Sequence, residues 1–138
     1  MGRTVVPIQA QNYSDYHRMK AGEIPPEQIR TVALQALVDT GATMLCLPNS
    51  QITKLGLSPI EKRKVMTANG EVEREVYGGV FLTVMGRSCT LDVTELPETA
   101  PPLMGYLPLE ALDFVVDPTR QRLIPNPAHD GKFMHDLF

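Results

Sequence analysis

The chain has no tryptophan, only two cysteines, and no surplus of positive charge. Each shortage closes off a class of function. Cys46 and Cys89 are too few and too far apart to make a zinc site or a disulfide framework, so a reducing cytoplasm is the expected location. Thirteen basic side chains against sixteen acidic ones give a net charge of −3, which leaves no electrostatic footprint for nucleic acid. No stretch approaches the ~20 apolar residues of a membrane span. The opening "MGRTVVPIQA" lacks the apolar core of a signal peptide, and Val6 stands where a myristoylation signal carries Ser or Thr. Neither a membrane nor a nucleic acid is an expected partner. His17, His129 and His135 have no metal-ligand spacing, and the last two fall in a polar tail where solvated imidazoles are expected. No metal or cofactor is expected.

What is present is a set of short strands in one domain. A chain of 138 residues buries roughly two-thirds of its unfolded surface, enough for a modest core. "RTVVPIQA" reads as a first strand, with Pro7 pointing to an edge position. The polar stretch from Tyr13 to Arg30, containing "GEIPPEQ", reads as a long surface connection with room for a helical turn. Thr31 to Val38 is apolar at odd and even positions alike, the pattern of a strand buried on both faces. "MLCLP" is a short strand, and "NSQITKLGL" a short helix capped by Asn49 or Ser50 and closed by Gly56. Two hairpins follow. "KRKVMT" and "EVEREVY" flank "ANGE", whose Asn-Gly is a strong hairpin signal; "GGVFLTVM" and "SCTLDVTEL" flank "GR". "LMG" is a brief strand, "LPLEALDF" a helix with Pro108 in its first turn, and "FVVDPTRQRLIP" a last hairpin. The "EKRK" run from Glu61 to Lys64 reads as a solvated face. Cys46 and Cys89 read as buried hydrophobes.

One residue resists this purely structural reading. In "ALVDTGATMLCLP" the carboxylate of Asp39 interrupts a nearly unbroken apolar run, and a buried charge is costly unless it is paired, hydrogen-bonded or neutralised. Gly41 permits a tight turn and a close approach of backbone to the carboxylate. Thr40 supplies a hydroxyl for a local bond or one across a symmetric partner. Taken alone, Asp-Thr-Gly is better explained by an Asp that forms a turn after a strand, because the tripeptide occurs often by accident.

The wider pattern decides between these readings. "VDTGAT" joined to the later "LMG" and the helix "LPLEALDF" resembles the retropepsin-like aspartic proteases, and the ending "LMGYLPLEALDFVVDPTRQRLIP" is most similar to their stand-alone microbial members. The resemblance covers about Thr31 to Pro125, with residues 127–138 as a tail of a single 1–138 domain. It implies a mainly β fold: a closed β-barrel of acid-protease type, one lobe per chain, with a flap hairpin and one or two short helices. It also implies a symmetric homodimer acting on a peptide or protein substrate as an aspartic endopeptidase. Asp39 and its symmetry mate would hold the attacking water, and Thr40 and Gly41 would orient them. Ala42 and the flap residues Thr67, Ala68, Asn69, Gly70 and Glu71 would contact substrate. The chemistry is coherent, because two carboxylates that close cannot both ionise and so share one proton, one serving as acid and the other as base. A chain with a single Asp-Thr-Gly must take its second carboxylate from another copy; the other candidate, Asp117, is followed by Pro. Retroviral members carry a second Asp where Thr43 stands here and an Arg where Tyr106 stands, so their substrate preferences do not transfer. The alternative is a dimeric module of the same fold that binds peptide without cutting it.

Overall fold

The computed structural model describes residues 3–137. Strand β1 (Val5–Asn12) leads into helix α1 (Tyr13–Lys20), and after a short 3-10 turn at Pro26–Gln28 the chain enters β2 (Thr31–Val38). Next come β3 (Leu45–Pro48), α2 (Asn49–Leu55), β4 (Ser58–Thr67), β5 (Gly70–Val84) and β6 (Arg87–Leu96). The chain continues through β7 (Leu103–Met104) and α3 (Tyr106–Leu112) to the hairpin β8 (Phe114–Asp117) and β9 (Arg122–Pro125). The expected mainly β fold is present. The helices number three among the described residues rather than one or two.

Seven strands form one sheet in the order β1-β2-β7-β3-β6-β5-β4, and the far half of β5 returns to pair with β1. The sheet therefore closes on itself as a small barrel of six strands, with β4 left outside the ring. Alternation explains the closure. Along β1, Val6, Ile8 and Ala10 point inward while Val5, Pro7 and Gln9 point out, and on β5 the inward set is Val80, Leu82 and Val84. These meet Leu45, Leu47, Val93 and Met104 in one core. Each such aliphatic side chain, fully buried, contributes roughly 1.5–3 kcal/mol. Pro7 sits where β1 has β2 as its only neighbour, since pairing with β5 begins at Gln9; a missing N–H costs little there.

Three expectations need correction. Strand β2 is not buried on both faces. Thr31, Ala33 and Gln35 are exposed and Val32 and Ala36 are buried, so the ring covers one face only. The polar connection after β1 contains a two-turn helix. Asn12 caps it by accepting from the Asp15 N–H at 2.9 Å, and Asp15 is itself buried and gripped by Arg30, whose Nε and Nη2 donate at 2.8 and 3.0 Å. That guanidinium holds the Asp15 carboxyl below its ordinary value, against the opposing effect of burial. Helix α2 starts one residue early, with Pro48 at the cap position, and Gly56 closes it in the left-handed region at φ 64° as expected.

The tail is also tied down. Arg87 lies over the rings of Phe114 and Phe133 at 4.7 and 5.1 Å and donates to the carbonyls of Leu112, Asp113 and Gly131. His129 is buried, not solvated: Nδ1 is 2.6 Å from Asp113 Oδ2 and Nε2 is 3.1 Å from Asp136 Oδ1. The Asp113 hydrogen bond raises the His129 pKa against the effect of burial, and Asp136 adds to the rise. Burial pushes Asp113 the other way, but the bonds from His129, Asn126 and the Met134 N–H together lower it.

Candidate active site

Asp39 follows the last residue of β2, and a second strand holds it there. The Asp39 N–H donates to the Met104 carbonyl at 3.0 Å, so the short "LMG" strand grips the turn from its N-terminal side. The Ala42 N–H closes the turn on the Asp39 carbonyl at 3.0 Å. Beyond it, the N–H groups of Gly105, Tyr106 and Leu107 donate to the carbonyls of Met44, Ala42 and Thr43 at 2.9, 2.9 and 3.0 Å. The start of α3 thus satisfies its own first N–H groups on the loop that carries the acid. Two segments more than sixty positions apart in the chain are fastened to each other, backbone to backbone.

The carboxylate is held as well. Oδ1 accepts the Gly41 N–H at 2.9 Å, while Oδ2 has no partner among the described residues. A Cβ on Gly41 would sit 3.2 Å from Oδ1, so the glycine is needed for a close approach to the acid rather than for an unusual φ. Asp39 is half-buried in the single chain, not enclosed. Asp117, by contrast, accepts the Thr119 and Arg120 N–H groups at 3.0 and 3.3 Å inside its own hairpin turn. Both carboxylates accept the N–H two residues on; Asp39 differs in bordering the cleft, which Asp117 does not.

Asp39 lies on the wall of a cleft of about 740 Å³. Strands β4 and β5 run past the ring as an arm and cover one side of it. The arm's tip is the two-residue turn Ala68–Asn69, closed by Thr67 opposite Gly70, and Gly70 has φ 108°. The cleft brings together Asp39, Gly41, Ala42, Thr67 and Ala68. Thr40, Asn69, Gly70 and Glu71 are not on its wall, and Thr40 is exposed. Sequence reasoning missed Arg63 and Arg74, which do line it. Consecutive residues of β4 from Arg63 to Thr67 border the cleft, so period-two spacing could not have singled out this arginine.

Cys46 also borders the cleft, and it is not a competing nucleophile. Burial, and secondarily the charge of Asp39, push its thiol up to about 11, so the thiolate is scarce at neutral pH. Cys89 is likewise pushed to about 11 by burial. Among the described residues no group of His, Cys, Asp and Glu is placed to hold a metal ion.

The Gly70 backbone supports a specific expectation. Gly70→Val forces a β-branched side chain into the left-handed region, at a tip with open space around it. Peptide turnover should fall at least several-fold while the thermal midpoint drops by only a few degrees, because the tip of a hairpin makes few core contacts. Steady-state kinetics and a melting curve on the same preparation check this. Parent-like turnover would remove the arm from the mechanism.

A family model described as "Aspartyl protease" matches residues 27–106, more than half of the chain, and spans the Asp39 turn, the arm and the "LMG" strand. No curated protein matches the chain.

Proposed function

The chain belongs to the aspartyl protease family, and we propose that it is an endopeptidase working as a symmetric homodimer with Asp39 contributed by each subunit. The observation that carries this reading is the state of Asp39. It is a half-buried carboxylate fixed on one oxygen by the Gly41 N–H, open on the other, and placed on the wall of a peptide-sized cleft beside a hairpin arm. A lone carboxylate can take a proton from the attacking water, but it cannot in the same step protonate the carbonyl oxygen on which negative charge develops. A second one across a two-fold axis supplies the missing acid.

The roles follow. One Asp39 carboxylate accepts a proton from the water that attacks the peptide carbonyl, while its twin, protonated, donates to the carbonyl oxygen, giving a gem-diol. The first then passes its proton to the amine nitrogen as the C–N bond breaks, and the twin recovers a proton from a gem-diol hydroxyl as the carboxylic acid forms. Gly41 keeps Oδ1 in place, and Thr40, exposed in the single chain, faces the partner subunit and cross-braces the pair. Thr67 and Ala68 close over the peptide with the tip residues Asn69, Gly70 and Glu71, excluding water from the reaction. Ala42 contacts the substrate backbone.

The test is a dilution series. Sedimentation should report a dimer at high concentration and a monomer at low concentration, and specific activity on a quenched peptide pool should fall in step with the dimer fraction. Full specific activity in a sample shown to be monomeric would overturn the dimeric reading.

A further inference from the structure

The arm carries charge that the hydrolytic step does not use. On one of its faces the cross-strand partners have opposite signs: Lys62 is opposite Glu75 and Lys64 opposite Glu73, and Lys64 Nζ also lies 3.8 Å from Glu71. The other face breaks this pattern. Arg63 is directly opposite Arg74, both line the cleft, and like charges in directly opposite positions weaken a strand pair. Arg63 has Glu61 beside it on its own strand. Arg74 is half-buried and makes no ion pair or side-chain hydrogen bond among the described residues. The nearby cleft carboxylate, Glu95, is already engaged, accepting from the Glu75 N–H and the Asn49 amide, each at 3.2 Å. A guanidinium drawn partly out of water, repelled by its neighbour and left without an anion, has its complement missing.

We propose that Arg74, seconded by Arg63, is the specificity-determining group of the cleft and receives an acidic side chain of the bound peptide, so that the substrate class is peptides with Asp or Glu near the scissile bond. This rests on the peptide-hydrolase reading above and adds to it a preference that the catalytic carboxylates do not set. A guanidinium offers a planar fork that matches a carboxylate with two parallel hydrogen bonds. Its placement on the arm means that the bond forms as the arm closes, so the acidic residue is read when the peptide is committed. The other face of the arm sets Lys62 and Lys64 against Glu71, Glu73 and Glu75; Lys64 also reaches the cleft, but it is paired with Glu71 and leaves no spare cation there.

The experiment separates binding from cutting. Immobilised Asp39→Asn protein, at a concentration that keeps it dimeric, is exposed to a randomised decapeptide pool, and the retained peptides are sequenced by mass spectrometry. The parent arm should enrich Asp and Glu at one position by about ten- to hundredfold. Arg74→Gln should flatten that preference, Arg74→Lys should keep part of it, and Arg74→Glu should turn it toward Lys and Arg. Lys62→Gln, an equal charge change on the other face, should leave it as it was. Identical enrichment in the parent arm and in Arg74→Glu would overturn the proposal, as would a cleft that retains no peptide. Hydrolysis of the retained peptides by protein with Asp39 intact is scored separately. Charge-selective binding without cleavage would refute the endopeptidase reading and leave this one standing.

Discussion

Asp39→Asn is expected to remove peptide hydrolysis while leaving the fold and the proposed dimer in place. Asparagine has the same shape, and its Oδ1 can still accept the Gly41 N–H that the carboxylate accepts at 2.9 Å. What it loses is the ability to take a proton from water. Loss of a single acid–base group typically costs about 10²–10⁴-fold, and in the proposed dimer both copies change at once, so the loss should reach the upper part of that range or exceed it. The control is Asp117→Asn. Asp117 only accepts two backbone N–H groups within its own turn, which an amide oxygen can also do, so turnover should stay within about twofold of the parent. Single-turnover assays on one quenched peptide, with circular dichroism to confirm folding, read both variants. Normal turnover by Asp39→Asn would refute the assignment of the acid. A parent that binds peptides and cuts none would instead favour a non-catalytic binding module.

The second large effect is expected some distance from the acid, at Gly105→Ala. A Cβ there would lie 2.6 Å from the Ala42 carbonyl oxygen, 2.7 Å from its carbon and 2.7 Å from the Met44 oxygen. All three are backbone atoms of the loop that carries Asp39, and none can rotate away. The two segments must separate, weakening the bonds from Gly105 to Met44 and from Tyr106 to Ala42. Overpacking of this kind costs about 1–3 kcal/mol. The kinetic cost should be larger than the stability loss alone would give, because a displacement of about 1 Å in a catalytic group lowers rates by about 10²-fold. Thermal unfolding and kcat measured together should both fall. A variant that melts and turns over like the parent would mean that the "LMG" strand does not position the acid.

Much of this arrangement was legible before any coordinates. Asn69-Gly70 marked the end of the arm because glycine tolerates the positive φ that tight hairpins call for, and Gly70, the residue that follows the Ala68–Asn69 turn, has it. Gly56 marked the end of α2 for the same reason. The acid, its turn glycine and the "LMG" strand were legible as an ordered set of motifs. What was hidden depends on contacts between distant residues or on phase. Helix α1 was missed because its face is polar, although Asn12 followed three residues later by Asp15 resembles the spacing of a capping motif. Strand β2 looked doubly buried because Leu34, Leu37 and Val38 obscure the alternation of Thr31, Ala33 and Gln35 with Val32 and Ala36. His129 looked solvated because its partners, Asp113 and Asp136, lie sixteen and seven positions away, and neither separation is a recognisable local motif. Arg63 was lost in a charged run whose two faces differ only in what lies opposite each of them across the hairpin.

The central claim is that each active site needs one Asp39 from each of two subunits, and a mixing experiment tests it most directly. Parent and Asp39→Asn chains are combined at a fixed total concentration well above the dimer dissociation constant, equilibrated until subunits have exchanged, and assayed as the parent fraction is varied. If both carboxylates are required, only parent–parent pairs work and activity follows the square of the parent fraction. An equal mixture then retains about a quarter of the parent activity. A straight line, with about half the activity in the equal mixture, would show that one chain carries a complete site on its own and would contradict the account.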